Sequence, residues 1–375
     1  MAPGHRSILI AGAGTTGLTA ALELARRGFR PRIVDNDTGT VPLVESRALG
    51  VNARTLTLLA ASRVTDAILQ EAQQIAQFRM VANGKPLAVL DTTKVPGRYS
   101  AIHALAQGHT ERLLLGKLDD YEVDPEWQTV LETVSGDLQK PVVTLRKPDG
   151  SVETAQFDIV IGADGAHSAV RKALGIGFPG EALESSFYLA DFRYKREIDP
   201  HFFEMQLFDP GMIGRLPVER DVLRYISTLP DFESRIEHPA PVAERLWASN
   251  FRIHFRHVET MSKGNVFLAG DAAHIHSPAG ARGMNLGIED ACWLAWLISE
   301  GREGDYNRLR MPAVKTVLKQ TRQLTTLFTM RNPLAISIRN IAVPVLFRLP
   351  AVSRKLLRGV SGYDTPSPPW IDGAL

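Results

Sequence analysis

Residues 7–35 read SILIAGAGTTGLTAALELARRGFRPRIVD, and this one stretch restricts the fold more than any other part of the chain. An apolar run ends in glycines, a helical pattern follows with Leu18, Ala21, Leu22 and Ala25 on one face, and a second apolar run ends on Asp35. Strand, glycine turn, helix and strand form a βαβ unit, which commits the chain to a parallel sheet with helices packed on it. Gly12, Gly14 and Gly17 fit G-x-G-x-x-G. The first glycine permits a tight turn, the second lets a pyrophosphate approach the backbone, and the third lets helix and strand pack closely. The pattern alone is common. Its position between strand and helix, with an acid at the end of the next strand, predicts a dinucleotide site. Asp35 would accept from the adenosine ribose hydroxyls there.

The rest of the chain extends the theme. FDIVIGADG (157–165) and VFLAGD (266–271) are further apolar runs closing on glycine and aspartate. Helices are expected in SRALGVNARTLTLLAASRV, HTERLLLGKLDDY and GMNLGIEDACWLAWLISEG, and a hairpin with a KPDG turn in PVVTLRKPDGSVETA. Between residues 185 and 261 the texture changes to short alternating segments such as FFEMQLF and VLRYISTL, which suit an antiparallel sheet. The expected fold is therefore α/β: a Rossmann-like layer made of 1–75, 100–184 and 262–304. A mostly antiparallel substrate domain (76–99 and 185–261) is inserted into it, and a helical tail (305–375) follows.

Charge is nearly even, 43 basic against 41 acidic residues, so nothing global favours a nucleic-acid partner. The single cysteine, Cys292, excludes internal disulfides and cysteine-based zinc sites. MAPGHRSILIAGAG lacks the apolar core of a signal peptide, which leads us to expect a cytoplasmic protein. Locally the balance fails: residues 302–358 carry twelve Lys or Arg against Glu303 and Asp305. PLAISIRNIAVPVLFRLP within it is either a helix packed on the body with its basic face in water, or a surface that meets anionic lipid. Arg339 and Arg348 argue against a transmembrane helix.

GADGAHSAVR (162–171) and GDAAHIHSPAGARGMNLGIEDA (270–291) follow the glycine turn in order. With it, and with SRALGVNARTL and FRIHFRHVETMSKGNVFLAGDAAH, they resemble the group A flavoprotein monooxygenases, the p-hydroxybenzoate hydroxylase-like aromatic hydroxylases. The resemblance covers most of residues 6–300. It implies a glutathione-reductase-type FAD layer with FAD held noncovalently, and NADPH or NADH as hydride donor. It also implies insertion of one oxygen atom from O2 into a small aromatic substrate through a flavin C4a-hydroperoxide. By the same resemblance Gly12, Gly14 and Gly17 would cradle the pyrophosphate and Asp35 the ribose. Arg47 and Gln107 would reach the cofactor from the side, Asp164 would serve both FAD and the nicotinamide nucleotide, and Asp271 would bond the ribityl chain. Pro278, Gly283, Met284 and Asn285 would lie along the flavin ring.

The loop chemistry agrees with that placement. Reduced flavin carries negative charge, and a helix starting near Gly283 aims its amides and positive end at it. Gly280 and Gly283 have no Cβ to hold a planar ring away, and Pro278 stiffens one wall. His274 and His276 lack a third ligand, so no metal is expected. His167 and Ser168 read as backbone contacts of their motif, Arg171 as its anchor, Cys292 as a small buried residue, and Trp293 with Trp296 as a packed helix face. Ser277-Pro278 and Ala281-Arg282 stand where the family often has Pro-Pro and Gly-Gln, which leaves Arg282 free to touch substrate or cofactor. The thioredoxin-like domain of the phenol hydroxylase branch is not present in the sequence, which favours the two-domain form.

Three rivals remain: a flavin reductase or hydroxylase of prenyl or quinone substrates, a halogenase, and a non-catalytic binding protein on the same fold. The halogenase is disfavoured because none of the five tryptophans lies in Trp-x-Trp-x-Ile-Pro. Tyr188, Arg215, Arg224, Tyr225 and His254 are candidates for activating a substrate, with none preferred, and the protein is expected as a monomer or homodimer.

Overall fold

The computed structural model describes residues 6–42, 48–82, 84–95, 97–198 and 201–371. Ile8–Ala11, the opening apolar run, is the centre of a six-stranded sheet. It lies parallel to Ile159–Gly162 on one side and Arg32–Val34 on the other, with Ile10 beside both Ile161 and Ile33. Val266–Leu268 joins outside Ile159–Gly162, and Pro125–Glu126 outside Arg32–Val34. The central strands are buried on both faces, which is why they read as unbroken apolar runs. All three strand ends that carry glycine and aspartate thus lie side by side at one edge of the layer.

Helix α1 (Thr15–Ala25) leaves the glycine turn and packs against the sheet. The segment read as one helix after SRALG is broken instead into a strand, Gly50–Asn52, and two short helices, α2 (Ala53–Leu59) and α3 (Val64–Glu71). Two local causes are visible. Asn52 caps α2 by accepting from the Thr55 amide at 2.9 Å, and Arg63 takes a left-handed φ of 60° that stops the helical path. Helix α4 (Gln107–Leu118) and the KPDG hairpin fall where the sequence places them, and GADGAHSAVR adds a short helix, α5 (Ala169–Ala173), that is not among those expected above.

The second layer is an eight-stranded, mostly antiparallel sheet built from residues 77–91, 180–257 and 274–275. Its strand Gly180–Tyr194 begins five residues ahead of the boundary at 185 expected above, because GEALES has no alternation to announce a strand. One face carries Met80, Phe187, Met205, Leu207, Met212, Ile253 and Phe255, and the chain covers that face with its last helices. Of these, α7 (Tyr306–Phe328) and α8 (Pro333–Phe347) lie on that face, whereas α6 (Gly283–Ser299) packs on α1 and α9 (Pro350–Val360) on α8. Trp293, Trp296 and Trp370 form a ring cluster with centroids 4.9–5.9 Å apart, fixing the tail onto α6.

Candidate cofactor site

The three glycine motifs meet in atomic contact. A Cβ on Gly12 would stand 2.3 Å from the carbonyl oxygen of Ala163, so the glycine turn rests directly on GADG. Cβ atoms on Gly270 and Gly287 would fall 2.5 Å and 2.3 Å from the Thr16 hydroxyl, which seats the start of α1 on GDAAH and on α6. Gly17 is equally constrained, since its Cβ would overlap the Gly12 carbonyl at 1.8 Å.

Gly14 and Gly283 are different. The nearest atom to a Cβ on Gly14 is a Glu111 carboxylate oxygen at 3.7 Å, and on Gly283 it is His276 Cε1 at 3.9 Å. Neither has a positive φ. Nothing in the folded chain requires glycine at these two positions, and each opens a helix. Helix α6 begins without a side-chain cap or an acidic residue in its first turn. No described residue accepts from the amides of Gly283, Met284 or Asn285. Uncapped first-turn amides beside a glycine that the chain itself does not need make a cradle for a flat, electron-rich ligand.

The acidic residues are placed consistently. Asp35 is half-exposed; its carboxylate accepts from the Ala13 amide of the glycine turn and from the Asp37 amide at 2.8 Å. Asp164 accepts from Ser168 Oγ and from the Val170 amide at 3.1 Å, so the side chain holds the start of α5. Burial raises its pKa, and those hydrogen bonds oppose the rise. Asp271, at the start of the third motif, is exposed. It accepts no hydrogen bond from a described residue, and its setting pushes its pKa up, with only His274 opposing. A carboxylate so placed suits a ligand hydroxyl. Arg47 lies outside the described residues.

Gln107 donates to Glu111 at 2.9 Å, one turn further along α4. Glu111 also accepts from the Val41 amide at 2.9 Å, and burial pushes its pKa up. It stands at the mouth of the glycine turn and was not singled out from the sequence, although its four-residue spacing from Gln107 was there to be read.

In the flavin-loop motif, Pro278 is exposed, and its carbonyl accepts from the Ala281 amide at 2.9 Å, closing a turn in which Gly280 has φ 80° and Ala281 φ 52°. Met284 is half-buried. The Asn285 side chain is committed within the protein: it accepts from the Asn52 amide (3.0 Å) and Thr55 Oγ1 (2.7 Å), and donates to the Gly50 carbonyl (2.7 Å) and the Ala281 carbonyl (2.6 Å). Only its amide remains for a ligand. Arg282 turns away from the cleft, pairing with Asp364 at 2.7 Å and donating to the Gly359 carbonyl. His276 Nδ1 donates to the Ser277 carbonyl (2.8 Å), while its Nε2 is buried without a partner and burial lowers its pKa to about 3. The ring is therefore neutral.

Beneath the loop runs a buried polar chain. His274 Nε2 meets Asp290 at 2.6 Å, Arg310 joins Asp290 and Glu289 at 2.8 Å each, and Thr365 donates to Glu289 at 3.0 Å. His274 is thus a structural partner of Asp290. Arg171 donates to the Ala272 and Ala166 carbonyls at 3.0 and 2.9 Å, binding the second motif to the third. Ser168 caps α5, and Cys292 is buried in α6.

The apolar face of the eight-stranded sheet closes over this loop. Ala279 packs into it with Phe78, Phe203, Ile226 and Phe251, and Leu324, Leu327 and Phe328 of α7 complete the enclosure. Most of the polar candidates lie elsewhere or are already paired. Arg224 forms a buried bidentate pair with Asp191 at 2.7 Å, and Arg215 pairs with Glu204 at 3.1 Å. Tyr225 bonds Tyr194, which bonds His238. His254 alternates with Ile253 and Phe255, which puts it on the opposite face of the sheet, and Tyr188 packs with the other core cluster.

The FAD binding domain family matches residues 5–201 and 228–311. 6-Methylpretetramide 4-monooxygenase of Streptomyces rimosus is 30% identical over 390 residues, covering 95% of this chain and 69% of that protein. Pentachlorophenol 4-monooxygenase of Sphingobium chlorophenolicum is 31% identical over 353 residues, covering 85% of this chain and 65% of that one. The chain thus spans about two thirds of the length of these relatives. The fold of p-nitrophenol 4-monooxygenase from Pseudomonas putida superposes with a TM-score of 0.85 at 22% identity, over 95% of this chain and 98% of that one.

Proposed function

The chain belongs to the family of FAD-dependent aromatic monooxygenases, and from that premise we propose that it hydroxylates a bulky, largely apolar phenol. The observation that carries the substrate class is the Phe- and Met-rich sheet face enclosed against Ala279 of the flavin loop. A small charged substrate needs a fixed counter-charge when it is desolvated, and two arginines of that sheet, Arg224 and Arg215, are paired with Asp191 and Glu204. A multi-ring substrate gains instead by burying area against aromatic and thioether side chains.

Bound FAD supplies the redox chemistry, accepting hydride from NAD(P)H and activating O2 for transfer of one oxygen atom. In this reading the open side of Gly14 and the start of α1 hold the pyrophosphate, while Asp35, already tied to the glycine turn, orients the ribose. Asp271 accepts from the ribityl hydroxyls, with no protein donor competing for it. The amides of Gly283, Met284 and Asn285 face the electron-rich edge of the ring. His276, neutral and close to Gly283, adds no positive charge of its own.

Stimulation of NAD(P)H oxidation by a graded panel of phenols tests the substrate class. Multi-ring phenols are expected to stimulate most; stimulation confined to small carboxylated phenols would reject it. Only the G-x-G-x-x-G at Gly12–Gly17 joins a strand to a helix; the other, Gly175–Gly180, runs into the strand Gly180–Tyr194, so the nicotinamide nucleotide visits without a domain of its own. Stopped-flow reduction is therefore expected to be slow without substrate and faster by at least about tenfold with it, as gating by closure implies. Equal rates would exclude gating.

The cofactor is held without a covalent bond. Cys292 is fully enclosed in α6 with its thiol pKa raised by burial, a poor nucleophile for attachment. Acid precipitation should leave yellow flavin in the supernatant, and flavin retained in the pellet would contradict this.

A further inference from the structure

We propose that helix α8 and the start of α9 form a docking surface for an anionic lipid membrane. On α8, Leu334, Ile338, Ile341 and Val345 recur at intervals of four, three and four residues, which places them in one stripe. Their exposures are 69%, 58%, 73% and 58%, and Leu346 and Leu349 extend the patch at 45% and 49%. These six are most of the large apolar side chains that stand exposed among the described residues. The opposite side of α8 is satisfied: Ile336 and Val343 are buried, and Arg339 is buried and donates to the Leu327 carbonyl at 3.2 Å. A helix that already packs well on one side and still leaves an aliphatic stripe in water has a second apolar contact to make.

Charge identifies that contact. From Tyr306 to Tyr363 the chain carries eleven Lys or Arg and no acidic residue. Arg331, Arg348, Arg354, Lys355 and Arg358 are exposed around the ends of the stripe. Cations flanking an amphipathic helix draw it to negatively charged headgroups, each contributing about 1 kcal/mol near such a surface. A second copy of this chain would bring the same cations together with no acid to meet them. A protein partner is disfavoured by composition, because the stripe is wholly aliphatic and lacks the Trp and Tyr that anchor protein interfaces.

The helices lie on the membrane and do not cross it. No single helix among the described residues is long and apolar enough to span a bilayer, and α8 and α9 are bent 95° from one another. At about 1.5 Å per residue, α8 falls short of a hydrocarbon core about 30 Å thick. Laid flat, it would bury its stripe at the headgroup boundary. Its inner face, with Val343 and Phe347, belongs to the same apolar cluster that closes over the flavin loop. The surface is inferred from exposure and charge, independently of the substrate.

The full-length holoprotein should be centrifuged with phosphatidylcholine vesicles, with and without phosphatidylglycerol. Binding to the anionic vesicles is expected, and little binding to the zwitterionic ones. Raising ionic strength from about 0.1 M to about 1 M, which shortens the screening length from about 10 Å to about 3 Å, should weaken it. The double variant Ile338→Asp/Ile341→Asp replaces exposed side chains, so circular dichroism should match the parent while vesicle binding falls at least tenfold. Arg348→Gln/Arg354→Gln/Lys355→Gln should likewise lose its preference for anionic lipid. Failure of the parent to bind, or equal binding by the aspartate variant, overturns the proposal. So does a parent dimer that the aspartate variant converts to monomer without any vesicle binding, which would make the stripe a self-interface.

Discussion

Gly283→Val is expected to leave the apoprotein folded and to remove most of its affinity for FAD, while Gly17→Ala is expected to prevent folding. Both positions are glycines at helix starts, and the contrast comes from what a side chain would meet. A Cβ at residue 17 would stand 1.8 Å from the Gly12 carbonyl, a backbone atom of the turn that cannot move aside. At residue 283 it meets only His276 Cε1 at 3.9 Å, an ordinary contact, and the backbone there has no positive φ. Valine carries no helix-propensity cost relative to the glycine that it replaces. Its methyls would, however, occupy the space in front of the α6 amides. Losing one preorganised donor of this kind costs about 2.7–4 kcal/mol, or roughly a hundred- to a thousand-fold in rate. Gly14→Val belongs with Gly283→Val, and Gly12→Ala with Gly17→Ala. Apoprotein melting and flavin fluorescence titration should be measured on all four. Wild-type FAD affinity in Gly283→Val would show that the ring does not lie at this helix end.

Arg310→Met is expected to fold, with a large loss of stability. The guanidinium is fully buried and serves both Glu289 and Asp290. Burial works against a charged Asp290, but Arg310 and His274 together outweigh it and hold the carboxyl below its usual pKa. Removing the cation strands two buried carboxylates, and breaking a buried pair from one side costs about 3–5 kcal/mol. The pH dependence has a definite sign. In the parent, a depressed Asp290 contributes stability above the ordinary carboxylate range and loses it as pH falls through the folded value. In the variant the cation no longer opposes the burial of Asp290, so its carboxyl favours protonation and acid relieves it. The gap between parent and variant in urea midpoint should therefore be widest near neutral pH and narrow towards about pH 5. A gap that widens in acid would mean that these carboxylates are not the source of the loss.

The parallel layer was legible because its information is local. Ile8–Ala11, the glycine turn and Asp35 lie within one short stretch, and burial on both faces leaves an unbroken apolar signature. The three motif ends could be foreseen as neighbours once each was read as a strand closing on glycine and aspartate. What escaped was decided between distant residues. Asn285 reads as a cofactor ligand, and nothing near it announces that Asn52 and Thr55, more than two hundred positions earlier, take both of its acceptor contacts. Arg282 reads as a residue of the cleft, yet Asp364 offers a buried counter-charge in the opposite direction. The alternating strands identified an antiparallel sheet without saying which face pointed inward, since alternation is symmetric until one side is covered. Helix α7 and the flavin loop break that symmetry, and only the folded chain shows them doing so.

The clamp on Arg282 also sets an order in time. A ribosome releases the flavin loop well before Gly359 and Asp364, and before Thr365, which reaches Glu289. During that interval both sheets can already form, because their strands end at residue 275. The loop that would face the cofactor then has its helix but not its brace, and a nascent chain at this stage presents an open cleft. The contacts that brace Arg282 and Glu289 thus come from the part of the chain made after both sheets and the loop itself.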